Sequence, residues 1–381
     1  MFKVDILEKD CEEEYEGFLD ECRCSSVQHS VDWRKVVDDL GKDKPYFAVA
    51  KEKNKIVGAL PLYFYKCPFG NLLTTTSWYT ISGIVCSEKS FRSEIYKVLL
   101  DYAVNLGNEL DCTAISLGTN PFEDDKNLYL ENYKSDYVME NFVQYVVLSD
   151  LFNEEGKIVH PNYFGRNEFT KNLNLARRQS ITITQDPTGN NLNEWYKIHE
   201  KRMKELNATP VPKELFASIR LNLVSKNKGK FVFAFHKERM IFGGVYIFNK
   251  KQIDAFMMSA DSEYLHHRAS YLVTRDLLEW ANKKGISVLN WMSSPKRDDG
   301  IYRWKKKWGS NERTFLYLTK LLGDISKWKE MDYRELKKAY GFHYLLPFNL
   351  LKNSNSRFTT KDELTSFTKM VLSRSDSEKT N

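Results

Sequence analysis

The sequence predicts a duplicated α/β (α+β) fold: two tandem domains, each with a mixed sheet flanked by helices, followed by a helical and partly disordered C-terminal tail. Three observations lead to this prediction. A hairpin-like segment occurs twice, a helix-and-strand segment occurs twice at a matching position downstream, and the repeat is lost beyond Thr319. At 381 residues, with 42% hydrophobic and 14% aromatic residues, the chain is long and apolar enough for two buried cores.

The first repeated element is a β-hairpin. Residues 46–66 (YFAVAKEKNKIVGALPLYFYK) align without gaps with residues 231–250 (FVFAFHKERMIFGGVYIFNK), so that Gly58 meets Gly243. In both copies, apolar and aromatic residues of high β-propensity flank a polar turn, and a glycine opens the second strand. We therefore predict one hairpin in each half of the chain.

The second repeated element is a helix followed by a strand. Residues 99–103 and Gly107 match residues 277–281 and Gly285 with identical spacing. The apolar positions fit one helical face that ends near a glycine C-cap. An apolar strand is predicted after each helix, at residues 114–117 and 286–291. The repeat unit of about 150 residues is too long for a solenoid and suits a duplicated α/β domain.

The polar segment 152–161 marks the predicted junction between the domains. The expected domains are residues 1–155 and 160–320, with the tail at residues 321–381. The second domain opens with a basic amphipathic helix at residues 169–179 (FTKNLNLARRQ). The tail is charged and ends in SRSDSEKTN, so we predict no chemistry for it.

Charge and hydropathy exclude several protein classes. The 57 Lys and Arg against 51 Asp and Glu give a net charge of +6, which suits phosphate-bearing ligands but predicts no DNA partner. No apolar run approaches the roughly 20 residues of a membrane helix, and the N-terminus is acidic, so we expect a cytoplasmic protein without a transmembrane segment. The six cysteines form no CxxC pair and the histidines no zinc-like cluster, so we expect free thiols and no metal.

Two stretches resemble FemAB-related proteins: residues 195–216 (WYKIHEKRMKELNATPVPKELF) and residues 285–310 (GISVLNWMSSPKRDDGIYRWKKKWGS). In that family the second domain ends in a strand, a polar loop and a Gly-x-Tyr-x-aromatic-Lys-x-x-aromatic-Gly element. The matching residues are Gly300, Tyr302, Trp304, Lys305, Trp308 and Gly309. The resemblance is good over about residues 160–318.

This resemblance implies two tandem GNAT-like domains, each with a mostly antiparallel mixed sheet, and an active site in the second. It also implies an enzyme that transfers an acyl or aminoacyl group onto an amine of a cell-envelope or polysaccharide precursor. The implied substrate is a small molecule, a sugar nucleotide or a peptidoglycan precursor. Two alternatives stay open: an O-acyltransferase of surface polysaccharide, and a non-catalytic twin-GNAT protein that binds a nucleotide-sugar.

The resemblance leaves the donor undetermined between acyl-CoA and aminoacyl-tRNA. No sustained heptad pattern lies between Gly165 and Ile286, so the coiled-coil insertion that resembles a tRNA-binding arm is missing and tRNA is not favoured. Residues 266–270 (HHRAS) lack the glycines of the usual pyrophosphate loop of acetyl-CoA enzymes. Arg268 and Ser270 stand at that position and are the candidate donor-binding residues.

Lys305 and Asp261 are the candidate catalytic residues. Amine attack on an acyl group builds negative charge on the carbonyl oxygen, which a fixed cation such as Lys305 stabilises. The alternative is a solvated surface run over residues 305–307. We expect residues 304–308 to be extended, with Lys305 facing away from the flanking tryptophans. Asp261, after an apolar strand, is a candidate general base for the amine.

The candidate substrate-binding residues follow predicted strands or lie on the helix that begins near Asn193. Ser293, Ser294 and Arg297 suit a phosphate or sugar, although an ordinary polar turn would look the same. The aromatic pair Trp78 and Tyr79, in residues 74–85 (TTTSWYTISGIV), would stack on a sugar or peptide, or pack in the core. The full set is Trp78, Tyr79, Arg202, Ser293, Ser294, Arg297 and Tyr302.

Overall fold

The computed structural model describes residues 2–78, 80, 82–87, 91–156, 158–159, 166–294, 297, 299–341 and 343. The strands are β1 (Lys3–Ile6), β2 (Asp43–Glu52), β3 (Lys55–Tyr65), β4 (Asn71–Thr74), β5 (Val85–Cys86), β6 (Cys112–Gly118), β7 (Tyr137–Val147), β8 (Ile181–Gln185), β9 (Gly229–His236), β10 (Arg239–Phe248), β11 (Gln252–Ala260), β12 (Val288–Ser293) and β13 (Asn311–Leu321). The α-helices are α1 (Glu12–Glu21), α2 (Val31–Asp38), α3 (Arg92–Glu109), α4 (Lys126–Asn132), α5 (Arg166–Arg177), α6 (Leu192–Glu205), α7 (Lys213–Asn222), α8 (Ala269–Lys283), α9 (Gly300–Lys306), α10 (Ser326–Glu330) and α11 (Tyr333–Ala339). Short 3₁₀ helices span Lys9–Cys11, Val27–His29, Leu148–Asp150, Val224–Lys226 and Ser262–His267.

The chain divides into two compact units that are not contiguous in sequence. Unit 1 comprises Met1–Cys22, Gly41–Asn141 and Phe315–Asn381, and unit 2 comprises Arg23–Leu40 and Phe142–Thr314. A single cut near residue 155 therefore differs from these units in three segments. The α2 segment and residues 142–155 belong to unit 2, and the chain from Phe315 onward belongs to unit 1.

Unit 1 contains a mixed sheet in the order β1-β2-β3-β4-β6-β13, and β5 pairs with β3. Only β4 and β6 are parallel, because α3 connects them as a crossover, and the other pairs are antiparallel. The sixth strand of this sheet comes from far along the chain: Tyr317 to Leu321 of β13 pair with β6. One apolar face of α3 packs on the sheet and supplies much of the core.

Unit 2 repeats this arrangement strand by strand, in the order β8-β9-β10-β11-β12-β7. Again only one pair, β11 and β12, is parallel, and α8 is its crossover helix. Its sixth strand is the part of β7 from Val143 to Val147. Each unit is thus a mostly antiparallel mixed sheet flanked by helices, as the sequence predicted, and both predicted hairpins are present as β2–β3 and β9–β10.

The paired glycines of the repeat stand where a helix approaches the sheet closely. A Cβ on Gly58 would lie 2.4 Å from Cγ2 of Ile95, and one on Gly243 would lie 2.2 Å from Cδ1 of Trp195. Gly285 follows α8 with φ +72°, as a C-terminal glycine should. The C-cap prediction is wrong for Gly107, because this residue lies inside α3, where a Cβ would meet the core.

None of the helices in the described ranges combines the length and apolar character that crossing a bilayer requires. Beyond β13 the described residues form the short helices α10 and α11. Most of the predicted tail, residues 344–381, lies outside the described residues.

Candidate functional site

The two parallel strands of unit 2 separate after a short paired stretch. Their last paired residues are Asp254 of β11 and Asn290 of β12. From there β11 continues beside β10 to Ala260, and β12 continues beside β7 to Ser293. In open α/β sheets, ligands lie at the carboxyl ends of strands that part in this way. The carboxyl end of β12 is therefore the first candidate location for a functional site.

Helix α9 brings Lys305 to the end of β12. The helix begins after Asp299, whose Oδ1 accepts a hydrogen bond from the backbone N–H of Tyr302 at 2.6 Å. Lys305 is only 3% exposed, and its Nζ donates hydrogen bonds to the carbonyl oxygens of Met292 at 3.2 Å and Ser293 at 3.0 Å. An ammonium group has three N–H donors. Two of them are therefore committed to the backbone of β12.

Burial lowers the pKa of Lys305 to about 7, and the carboxylate of Asp299 opposes this shift. The expectation that residues 304–308 are extended is wrong, because α9 covers Trp304 and Lys305 and continues as a helical turn to Trp308. The Asp299 cap stabilises the first turn of the helix. For Lys305 the burial also rules out the alternative of a solvated surface run.

An aromatic cluster holds α9 in place. The ring centroids of Trp291 and Trp304 are 5.1 Å apart, and those of Trp304 and Trp308 are 6.1 Å apart. Phe169 of α5 contacts Trp308 edge-on at 4.8 Å, and Tyr271 of α8 lies 6.2 Å from Trp304. Burial of these large rings stabilises the helix position strongly. The position of Lys305 is thus fixed by the packing of α9 against β12, α5 and α8.

Gln144 forms hydrogen bonds with residues before, within and after α9. Its Oε1 accepts a hydrogen bond from Oγ of Ser294 at 2.7 Å, and its Nε2 donates to the carbonyl of Tyr302 at 3.2 Å and to Oγ of Ser310 at 3.1 Å. Gln144 is fully buried in β7. The sequence interpretation missed this residue; the available signal was an amide between apolar residues in the run of residues 142–147 (FVQYVV).

Glu312 engages two of the predicted substrate-binding residues. Nε of Arg297 donates to its Oε2 at 2.8 Å, and the hydroxyl of Tyr302 donates to its Oε1. Burial would raise the pKa of Glu312, but these two hydrogen bonds outweigh it and hold the pKa below its usual range. The Arg297 guanidinium also lies 4.4 Å from the ring centroid of Phe142. The structure thus brings Ser293, Ser294, Arg297 and Tyr302 together with Lys305.

Asp261 lies in a separate ion-pair network. Its carboxylate pairs with Lys201 and with Arg239, each at 3.0 Å, and accepts a hydrogen bond from the backbone of Glu263 at 3.3 Å. Burial would raise the pKa of Asp261, but the hydrogen bonds from both cations lower it instead. A carboxylate held in its ionised form is a weak base at neutral pH. This environment argues against Asp261 as the general base.

Arg202 lies on α6 beside Lys201, one of the two cations that pair with Asp261. Its Nη1 pairs with Glu205 at 2.9 Å on the exposed side of α6, and Glu205 also accepts a hydrogen bond from Ser262. The structure therefore does not bring Arg202 to the Lys305 group. Arg202 does lie on a predicted helix, since α6 spans Leu192–Glu205.

Arg268 and Ser270 stand at the start of α8. Arg268 adopts the left-handed conformation, with φ 58°, and its Nη1 donates to the carbonyl of Leu265 at 3.3 Å. Trp78 belongs to unit 1, where it is 3% exposed and lies 5.5 Å from Nζ of Lys42. This burial favours the core-packing alternative for Trp78. Tyr79 lies outside the described residues.

No group of three or more His, Cys, Asp or Glu side chains in the described part of the chain is arranged to hold a metal ion. The six cysteines are free, and four of them are buried.

Similarity to known proteins is found at the level of structure. No family model matches the sequence, and a search of curated proteins finds no match. The solved structure of FemX aligns over 83% of this chain and 97% of its own, with a TM-score of 0.62 and 12% identity. A tandem GNAT protein from the clavulanic acid biosynthesis pathway aligns over 85% and 99%, with a TM-score of 0.53 and 12% identity.

A third solved structure is the C-terminal domain of a putative lysylphosphatidylglycerol synthetase from Agrobacterium fabrum. It aligns over 81% of this chain and 91% of its own, with a TM-score of 0.51 and 9% identity. At these identities the likeness concerns the fold. The chain has the FemAB-like, twin-GNAT fold that the resemblance implied.

Proposed function

We propose that this chain is an N-acyltransferase whose active site lies at the end of β12, in the predicted second domain (residues 160–320). The observation that carries the proposal is the buried amine of Lys305. Its Nζ is held by two backbone carbonyls at the point where the parallel strands of unit 2 separate. A buried lysine with a pKa near 7 is energetically costly, and such groups cluster at functional sites.

Lys305 stabilises charge during acyl transfer. The acceptor amine attacks the acyl carbonyl carbon and forms a C–N bond, and the C–S bond of a thioester or the C–O bond of an aminoacyl ester breaks. The proton lost by the amine goes to the leaving thiolate or alkoxide. The carbonyl oxygen carries negative charge before that bond breaks, and the third N–H of the Lys305 ammonium is the donor for it.

The donor is an activated acyl compound, acyl-CoA or aminoacyl-tRNA. The start of α8, with Arg268 and Ser270, is the candidate position for its phosphates, because the N-terminus of a helix attracts anions. The acceptor is an amine on a cell-envelope precursor or a sugar nucleotide, as the FemAB resemblance implies. Ser293, Ser294, Arg297 and Tyr302 are the candidate contacts for it.

Ligand screening followed by a transfer assay tests the proposal. Thermal shifts are measured with acetyl-CoA, longer acyl-CoAs and sugar nucleotides, since a ligand at 100 times its Kd adds about 2.7 kcal/mol to stability. Transfer from the donor that binds is then followed with amine and hydroxyl acceptors. Acylation of hydroxyls alone would support an O-acyltransferase. Binding of a sugar nucleotide without transfer from any donor would support a non-catalytic protein.

The first prediction is that Lys305→Met lowers kcat by about 100-fold or more, because one lost contact to a transition-state charge costs about 2.7 to 4 kcal/mol. Methionine keeps most of the side-chain volume and removes the charge. Lys283→Met removes an exposed lysine at the end of α8 and is the matched control. Equal and small effects of the two substitutions would contradict a catalytic role for Lys305.

A further inference from the structure

We infer that Asn290 is a positioning residue for Lys305: it holds Met292 in the backbone conformation that aims a carbonyl oxygen of β12 at the Lys305 amine. This inference rests on the proposed function of Lys305. It concerns a different residue and a different mechanism.

The backbone of β12 is irregular where it meets Lys305. Asn290 pairs with Tyr145 of β7, but the next residues that pair are Ser293 and Val143. Three steps along β12 therefore match two steps along β7, which is a β-bulge. In a regular strand the carbonyl groups point alternately to the neighbouring strands. The bulge takes Met292 out of this pattern and frees its carbonyl for Lys305.

Met292 adopts the left-handed conformation, with φ 59°. Residues with a side chain avoid this region because Cβ crowds the following carbonyl oxygen, so neighbouring groups must hold it there. The backbone N–H of Met292 donates to Oδ1 of Asn290 at 2.9 Å, and Nδ2 of Asn290 lies 3.3 Å from the Met292 sulfur. Asn290 thus contacts both the backbone and the side chain of Met292.

Asp254 fixes the orientation of the Asn290 amide. Nδ2 of Asn290 donates to Oδ1 of Asp254 at 3.0 Å, across the last paired position of the parallel strands. Asp254 is 2% exposed and also accepts hydrogen bonds from Nε2 of Gln252 and Nε2 of Gln28, each at 2.6 Å. Because Asp254 takes the amide nitrogen of Asn290, the amide oxygen faces the backbone of Met292.

These contacts connect the paired part of the sheet to the amine of Lys305 in a series of hydrogen bonds. Asp254 orients Asn290, Asn290 holds Met292, and the carbonyl of Met292 accepts a hydrogen bond from Lys305. The arrangement predicts that Asn290 affects transfer without contacting substrate. A misplacement of a catalytic group by about 1 Å can cost up to about 100-fold in rate.

Substitution of Asn290 and rescue at Met292 test the inference. We expect Asn290→Ala to lower kcat by roughly 10-fold or more while KM changes little, because the interaction lost acts on the transition state. Adding Met292→Gly should recover most of the lost kcat, since glycine adopts positive φ without support. Adding Met292→Ala should not, because alanine also removes the methionine side chain but keeps Cβ.

The outcomes separate the inference from the proposed function. If Lys305→Met leaves turnover unchanged, the proposed function fails. If Lys305→Met abolishes turnover but Asn290→Ala does not lower it, only the inference fails. Equal rescue by glycine and alanine, or rescue by neither, also overturns it. If Asn290→Ala does not fold, Asn290→Leu, which keeps most of the volume and removes the hydrogen bonds, is used in its place; an unchanged kcat in that variant overturns the inference.

Discussion

The two units share a strand order but differ where their parallel strands end. In unit 1 the chain after β4 stays hydrogen-bonded to β6: the backbone N–H of Thr75 donates to the carbonyl of Ser116 at 3.2 Å, and the N–H of Gly118 donates to Oγ1 of Thr75 at 2.7 Å. Oγ of Ser82 donates to the Thr75 carbonyl at 2.8 Å. In unit 2 the corresponding place receives the amine of Lys305.

The short helix that follows the second parallel strand of each unit shows the same difference. These helices are α4, after β6, and α9, after β12. In unit 1, α4 presents Tyr129, which is fully buried and whose hydroxyl accepts a hydrogen bond from the backbone of Ile84 at 2.7 Å. In unit 2, α9 presents Lys305 to two carbonyl oxygens. An aspartate precedes each helix, Asp125 and Asp299. The comparison teaches that the duplicated fold accommodates either a closed hydroxyl-rich junction or a buried amine at one position.

The largest expected effect concerns the pH dependence of stability at Lys305. Its pKa is 10.5 in the unfolded chain and about 7 in the fold, so the unfolded state binds more protons between these values. Stability from this group is therefore present above pH 10.5 and is lost as pH falls towards 7, by about 5 kcal/mol in total. We expect the unfolding free energy of wild type minus that of Lys305→Met to rise from pH 7 to pH 10. A flat difference in denaturant titrations would contradict the buried amine.

Asp125 in unit 1 should show the opposite dependence. Burial raises its pKa from 3.8 to about 7, although a hydrogen bond from the Tyr96 hydroxyl at 2.9 Å opposes the shift. The folded state then binds more protons than the unfolded state between pH 3.8 and 7, so stability present at low pH is lost as pH rises to 7, by about 4 kcal/mol in total. Wild type minus Asp125→Asn should fall between pH 5 and 7. A difference that rises in this interval would show that folding lowers the pKa of Asp125, which contradicts the prediction.

The smallest effect tests the closed junction of unit 1. Thr75→Val keeps the shape of the side chain but removes the acceptor of the Gly118 N–H, which leaves a buried donor without its partner. We expect a loss of about 1 to 3 kcal/mol in unfolding free energy. Transfer activity should stay unchanged, because Thr75 belongs to unit 1 and Lys305 belongs to unit 2. Thr182→Val on β8, where the threonine is exposed, is the matched control. A loss of activity without a loss of stability would indicate that unit 1 contributes to catalysis.

Local patterns predicted most of the elements but not the local structure around Lys305. The hairpins, the crossover helices and the strands after them follow from apolar periodicity and turn residues, which act over a few neighbouring positions. The strand expected at residues 304–308 is a helix because Asp299 caps it and Trp304 and Trp308 pack on Trp291 of β12, a contact between two elements. Alternation in a five-residue run cannot reveal such a contact.

The positions of Gln144 and Asn290 were also outside what the sequence alone could predict. Each is an amide side chain in a β-strand, and its role depends on partners brought together by folding: Ser294, Tyr302 and Ser310 for Gln144, and Asp254 and Met292 for Asn290. The predicted base, Asp261, was chosen for its place after a strand. Its two cations come from α6 and β10, and they decide its ionisation.

By itself the sequence determined the duplication and the α/β class and, through the FemAB resemblance, made Lys305 a candidate residue, because repeated spacing and a short motif are properties of the chain alone. Only the tertiary structure decided that β13 completes the sheet of unit 1, and that Lys305 is a buried amine held by β12. The physical reason is that strand pairing and burial join residues that lie far apart in sequence. The pKa of a lysine depends on that burial and on the groups that surround it in the fold.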